Sequence, residues 1–113
     1  MVECLYMKLA IILSTHHAET NWNAFRLANE AISKGDLVSV FLTGEGVEYA
    51  QNGSDKFDIN KQVQKFLQSP NATIIACGTC MAIRKQDGSK ECPEGGIEDL
   101  HKIITDNDKV VTF

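Results

Sequence analysis

Apolar positions follow two alternating rhythms along this chain. Residues 9–13 (LAIIL), 37–42 (LVSVFL) and 72–76 (ATIIA) are short continuous apolar runs bounded by polar residues. Runs of that length, rich in branched side chains, predict strands buried on both faces. Residues 109–113 (KVVTF) predict a fourth, closing strand. Between the strands, apolar residues recur every three or four positions, the period of a helix with one buried face. Ala24, Leu27, Ala28, Ala31 and Ile32 form one such stripe, flanked by Trp22 and Phe25. Thr20 or Asn21 is its expected cap, and Gly35 sits where the helix should end. Ile59, Val63, Phe66 and Leu67 form a second stripe, capped by Asp58 or Asn60 and stopped by Pro70. A short helix is expected from Met81 to about Gln86, then a polar loop over 87–91. Ile97, Leu100, Ile103 and Ile104 form a last stripe, on a helix expected to open at Cys92-Pro93 with Pro93 in its first position.

Strands that alternate with helices pair in parallel through crossovers. The expectation is a small doubly wound α/β fold: a mainly parallel sheet with helices on both faces. At 113 residues, 43% hydrophobic and 23% charged, residues 1–113 make one globular domain. In such sheets the working residues gather beyond the carboxyl ends of the strands. Three loops qualify: 14–19, 43–47 and 77–80. A four-stranded sheet also leaves open edges and excess apolar area, so a homo-oligomer burying Trp22, Phe25 or their neighbours is expected.

Charge removes several classes of function. A net charge of −4 gives no basic footprint for nucleic acid and no polybasic patch for a membrane surface. No stretch approaches the ~20 apolar residues of a membrane span. Residues 9–13 are too short for a signal-peptide core and lead into Ser-Thr-His-His. A cytoplasmic protein is expected. Met7-Lys8 is a natural start for the first strand, so residues 1–6 read as an N-terminal extension and Cys4 carries little weight.

The strongest chemical signal is Cys77-Gly78-Thr79-Cys80, where the third strand meets a helix. Free amides at a helix start favour a thiolate, the form that attacks a disulfide or persulfide sulfur. Gly78 is expected to let the backbone turn closely around the sulfur. The spacing lets one cysteine attack and the other resolve. Two buried structural cysteines are the plainer alternative. Three chemical readings compete: a thioredoxin-like dithiol, a zinc site using Cys77, Cys80, Cys92 and His101, and a sulfur carrier. The dithiol motif usually follows the first strand of its unit, whereas this pair follows the third. A structural zinc site normally uses two ligand pairs, and only one CxxC is present.

Other candidates lie on the same edge. His16 or His17 can accept a thiol proton or hold an anionic sulfur group, although a solvated loop also accounts for both. Glu19 can orient a histidine or simply favour a helix start. Gly44-x-Gly46 can cradle a phosphate but lacks a third glycine, since position 49 is Tyr49, and reads better as a tight turn. Arg84, one helical turn beyond Cys80, can steady a thiolate, bind an anionic partner or form a surface ion pair. No cofactor and no metal are called for.

The segment Ile74-Ile75-Ala76-Cys77-Gly78-Thr79-Cys80-Met81-Ala82-Ile83-Arg84 resembles the core motif of the DsrE/DsrF-like family, which includes sulfur-relay proteins of the TusD type. The resemblance extends over most of residues 8–113, through 9–15, 35–47 and 108–113. It implies a flavodoxin-like fold, persulfide transfer between sulfur donor and acceptor proteins, and trimers or hexamers. Registered on Arg84, the family's carrier cysteine falls on Cys77, and Cys80 matches a second cysteine found in some branches. Lys85 stands where the family often has glycine. At the mouth of the helix the first cysteine faces the crevice and the second enters the helix, so Cys77 is expected to be the more reactive thiol, with a lowered pKa, and Cys80 the resolving one. Cys80 can release sulfide and leave a disulfide, or the sulfur can pass to a partner.

Overall fold

The computed structural model describes residues 6–90 and 92–113. The expected extension over residues 1–6 lies outside that range except for Tyr6, as do Cys4 and Glu91 of the polar loop. The order of elements is β1 (Lys8–Leu13), α1 (Ala18–Ser33), β2 (Leu37–Leu42), a 3₁₀ turn (Gly44–Glu48), α2 (Ile59–Leu67), β3 (Ala72–Cys77), α3 (Gly78–Ile83), β4 (Glu94–Gly95), α4 (Ile97–Asp106) and β5 (Lys109–Thr112).

Among the described residues the sheet has five strands in the order β4-β3-β2-β1-β5, all parallel. Register aligns Ile11 with Val40 and Val40 with Ile74 across the three central strands. Alternation along those strands divides the core. Leu9, Ile11, Leu13, Val38, Val40, Leu42, Ile74 and Ala76 face one way and pack with Phe25 and Ala28 of α1 and with Val63 and Phe66 of α2. Ala10 and Phe41 face the other way and pack with Ile103 of α4. The chain steps one way from β1 to β4, then α4 carries it back to place β5 beside β1. Crossovers of one hand place helices that advance and helices that return on opposite faces, which accounts for this division.

Several boundaries differ from the sequence expectation, each for a local reason. The fifth strand, β4, is two residues long and pairs Glu94 with Ala76 and Gly95 with Cys77. Two residues carry no periodicity to read. Pro93 therefore precedes a strand and does not open α4. That helix starts at Ile97, with the Asp99 carboxylate accepting from the Gly96 amide at 2.7 Å. Of its expected stripe only Ile103 is buried; Ile97 and Ile104 are 75% and 45% exposed. α1 begins at Ala18, not after Thr20 or Asn21, because the His17 imidazole is the cap and accepts from the Thr20 amide. α2 is capped by Asp58, as expected. Phe25 is 1% exposed and meets the rings of Tyr49 and Phe66 edge-on or tilted, so it belongs to the interior and not to a contact between copies. Trp22 is half-buried between the Phe57 ring and the Arg26 guanidinium.

Candidate functional site

The carboxyl ends of β1, β2 and β3 bring the three expected loops to one edge of the sheet. The strand order reverses between β1 and β5, where Ser14 donates both its amide and its hydroxyl to the Phe113 carbonyl. The cysteine pair stands two strands away, beyond β3.

Cys77 ends β3 and caps α3, its sulfur accepting the Cys80 amide at 3.4 Å. Because α3 begins at Gly78, earlier than Met81, Cys80 lies within its first turn. This turns the Cys80 sulfur toward the loop after β2. There the Gly44 amide donates to it at 3.2 Å, and the Thr43 hydroxyl stands at 3.9 Å. Both cysteines are half-buried and neither is in a disulfide.

Two glycines give that loop its shape. Gly44 has φ +55°, a left-handed conformation disfavoured for residues with a Cβ. Gly46 packs against β1 so closely that a Cβ would stand 1.9 Å from the Leu13 carbonyl oxygen. The expected tight turn is therefore present, built as a 3₁₀ turn held against the strand end. Gly78 is not required in the same way. A Cβ there would meet the Gly95 carbonyl at 3.5 Å, an ordinary contact, and its φ is not positive.

Arg84 does reach the pair. Its Nη1 donates to the Cys80 carbonyl at 3.2 Å, and its Nε donates to Glu48 of the 3₁₀ turn at 2.5 Å. The two side chains are about a quarter exposed, at 25% and 24%, so the guanidinium is held in place and partly shielded from solvent.

These surroundings oppose the expected order of the two thiols. Burial pushes the Cys77 thiol up, and its hydrogen bond to Cys80 adds to that. Cys80 is lowered. The hydrogen bond from Cys77 is the largest cause, and the Gly44 amide, the Thr43 hydroxyl and the Arg84 charge assist, against the cost of burial. The expectation of a lowered Cys77 considered the helix start alone. It left out desolvation and the donors of a loop 36 residues away.

The histidines divide. His16 contacts Glu45 through Nε2 at 3.4 Å and Asn52 through Nδ1 at 3.2 Å. It thus touches the residue after Gly44, not a sulfur. His17 is spent on capping α1. Both line a separate hollow of about 530 Å³ with Thr15, Glu19, Asn52 and Phe57. The functional edge is shared, but this hollow is not lined by the cysteines. Cys92 lines a cleft of about 320 Å³ behind α3, with Val47, Met81, Gln86 and Ser89. His101 is exposed on α4. Among the described residues no group of three or more His, Cys, Asp or Glu side chains is arranged to hold a metal ion, so the four proposed zinc ligands do not form a set.

Thr43, Glu45 and Glu48 escaped notice as single residues, although the loop that holds Thr43 and Glu45 was expected to matter. Glu48 lies one residue beyond that loop and carries no motif. Asn21 was read only as a possible cap. It is fully buried, and its Nδ2 donates to the carbonyls of Thr15 and Tyr49, tying the His16 loop to the end of the 3₁₀ turn.

Comparison with known proteins bears on the whole chain. A sequence model of the DsrE/DsrF-like family matches residues 7–113. The crystal structure of the ychN protein from E. coli is similar in fold, with a TM-score of 0.79 and 21% identity, covering 95% of this chain and 99% of that one. No curated protein sequence matches. Among the described residues no helix is long and apolar enough to cross a membrane.

Proposed function

We propose that this chain, which belongs to the DsrE/DsrF-like family, carries sulfur as a cysteine persulfide on the Cys77–Cys80 loop. The family is generally related to sulfur relay, and residues 7–113 match it. The observation that carries the proposal is the pairing of the two cysteines. The Cys80 sulfur accepts the Gly44 amide, the Cys77 sulfur accepts the Cys80 amide, and Arg84 is held one turn away on the Cys80 carbonyl. A thiolate held in this way attacks the outer sulfur of a donor persulfide, keeps it, and yields it to an acceptor thiolate. The partners are sulfur donor and acceptor proteins in the cytoplasm. In a homo-oligomer, trimer or hexamer, exposed apolar side chains such as Ile83, Ile97 and Ile104 are ones a second copy would cover.

Intact-mass spectrometry after incubation with glutathione persulfide tests this. The expected result is one added sulfur, mapped to residues 77–80. Addition only at Cys92 or Cys4, or none, refutes it. The contact between the two cysteines also favours a second reading, thiol–disulfide exchange. In that case oxidation removes two hydrogens from the pair and no sulfur is gained.

A further inference from the structure

We infer that the cleft behind α3 is a binding site for a short aliphatic aminothiol, whose ammonium group meets Gln86 and Asp87 and whose sulfur meets Cys92. The site is separate from the Cys77–Cys80 pair, which does not line this cleft.

Local backbone contacts build its walls. Lys85 has φ +55°, so the chain turns through a left-handed residue as α3 ends. The Gln86 amide then donates to the Met81 carbonyl at 2.8 Å, which holds residue 86 beside the helix. Ser89 and Cys92 are tied to each other. Their amides donate to each other's carbonyls at 3.2 and 3.3 Å, and the Ser89 hydroxyl accepts the Cys92 amide at 3.1 Å. The Pro93 carbonyl accepts the Ala76 amide at 2.9 Å, which fastens Cys92 to the side of β3.

The lining has the make-up of a small-ligand site: buried apolar side chains with a few polar groups at fixed places. Val47, Ala76 and Met81 belong to the core, and the volume is about 320 Å³. One polar group in this lining is unmatched. Gln86 Oε1 is buried and meets no hydrogen-bond donor among the described residues. Buried acceptors in folded proteins are nearly always paired, so this oxygen calls for a donor from outside the chain.

Charge selects that donor. Asp87 also lines the cleft, and none of the described lining residues is basic. An anion finds no partner there, whereas an ammonium group finds an amide oxygen and a carboxylate. Cys92 completes the set. It is half-buried and in no disulfide, and it shares the lining with Gln86 and Asp87. A thiol beside an ammonium site suits a ligand that carries sulfur on a short arm. In the ligand's disulfide form, RS–SR, the capture step balances. The Cys92 thiol gives its proton to solvent, and the thiolate attacks one ligand sulfur. The S–S bond breaks, RS⁻ leaves with the electron pair and takes a proton from solvent, and Cys92–S–S–R remains. One disulfide replaces another, with no net oxidation.

Reversible disulfide exchange tests the site. The reduced full chain is equilibrated with equal amounts of cystamine, 2-hydroxyethyl disulfide and 3,3′-dithiodipropionate, with 2-mercaptoethanol present. These probes carry an ammonium, a hydroxyl and a carboxylate on arms of equal length. Adducts are then mapped by mass spectrometry of peptides. At Cys92 the cystamine adduct should exceed the propionate adduct roughly tenfold, the return on one hydrogen bond to a charged group. Gln86→Leu, which replaces an unpartnered side chain by an apolar one of similar size, should remove most of that preference. Gln86→Glu keeps the acceptor and should retain it. Equal capture of the three probes at Cys92, a preference for the carboxylate, or no adduct at Cys92 overturns the inference. So does a cystamine preference that Gln86→Leu leaves unchanged. Persulfide carriage is read at residues 77–80 in a separate experiment, so either result leaves the other standing.

Discussion

Replacing Gly46 by alanine adds one methyl group at the point where the 3₁₀ turn meets β1. The new Cβ would lie 1.9 Å from the Leu13 carbonyl oxygen and 2.7 Å from its carbon. The shortest contacts that Cβ atoms tolerate are near 3.0 Å, so turn and strand must separate by more than an ångström. The obstacle is backbone, and Leu13 is paired with Leu42 in the sheet, so no rotamer relieves it. Overpacking a rigid core costs ~1–3 kcal/mol, and a clash with backbone belongs at the upper end. With a urea slope of ~2 kcal/mol/M, a loss of ~3 kcal/mol lowers the unfolding midpoint by ~1.5 M. Equilibrium urea unfolding followed by circular dichroism measures it. The same displacement should draw the Gly44 amide from Cys80 and slow that thiol's alkylation. Gly53→Ala is the milder comparison, because its Cβ would stand 3.3 Å from the Ala50 carbonyl oxygen, a tight contact that a shift of a few tenths of an ångström relieves. An unchanged midpoint for Gly46→Ala refutes the close approach and, with it, the rigid placement of the Gly44 donor.

Three further substitutions test separate parts of the structure. Phe25→Ala should destabilise by ~3–5 kcal/mol, because the ring is buried between α1, α2 and the 3₁₀ turn; a loss below 1 kcal/mol in urea unfolding would return Phe25 to the surface. Asn21→Ala removes a buried donor from two carbonyls and should cost ~2–4 kcal/mol, with faster hydrogen exchange in the loop after β1; native exchange there would show that the tie is dispensable. Arg84→Gln removes a positive charge that favours the Cys80 thiolate, so the pH profile of Cys80 alkylation should move to higher pH, toward the ordinary thiol value. A profile that stays in place, or moves to lower pH, contradicts the role given to Arg84.

How much of this was legible in the chain depends on what each feature is made of. β1, β2 and β3 are buried on both faces, so composition alone announces them, and the helices between them fix parallel pairing. β4 was not legible, because two residues of backbone pairing leave no pattern of side chains. The cap of α1 falls on His17, one turn before the expected hydroxyl and amide, because a histidine ring can accept a hydrogen bond as a hydroxyl does. The stripe of α4 promised four buried residues. On that face of the sheet Ile103 is buried and Leu100 is partly buried against Ala10 and Phe41, while Ile97 stays outside. The cysteine pair was legible as a motif. Its polarity was not, since the Gly44 donor is a backbone amide that any residue but proline supplies. The sequence cannot announce that such an amide lies against a sulfur 36 residues away.

The Cys77 sulfur is also the cap of α3, and this joins the chemistry of the loop to the backbone. The amide of Cys80 ends on that sulfur at 3.4 Å. A persulfide or disulfide at either cysteine changes the charge and direction of the acceptor that this amide meets. The amide is therefore a built-in gauge of occupancy. Its nitrogen resonance and its solvent exchange distinguish empty, loaded and oxidised loops without a label and without a partner present.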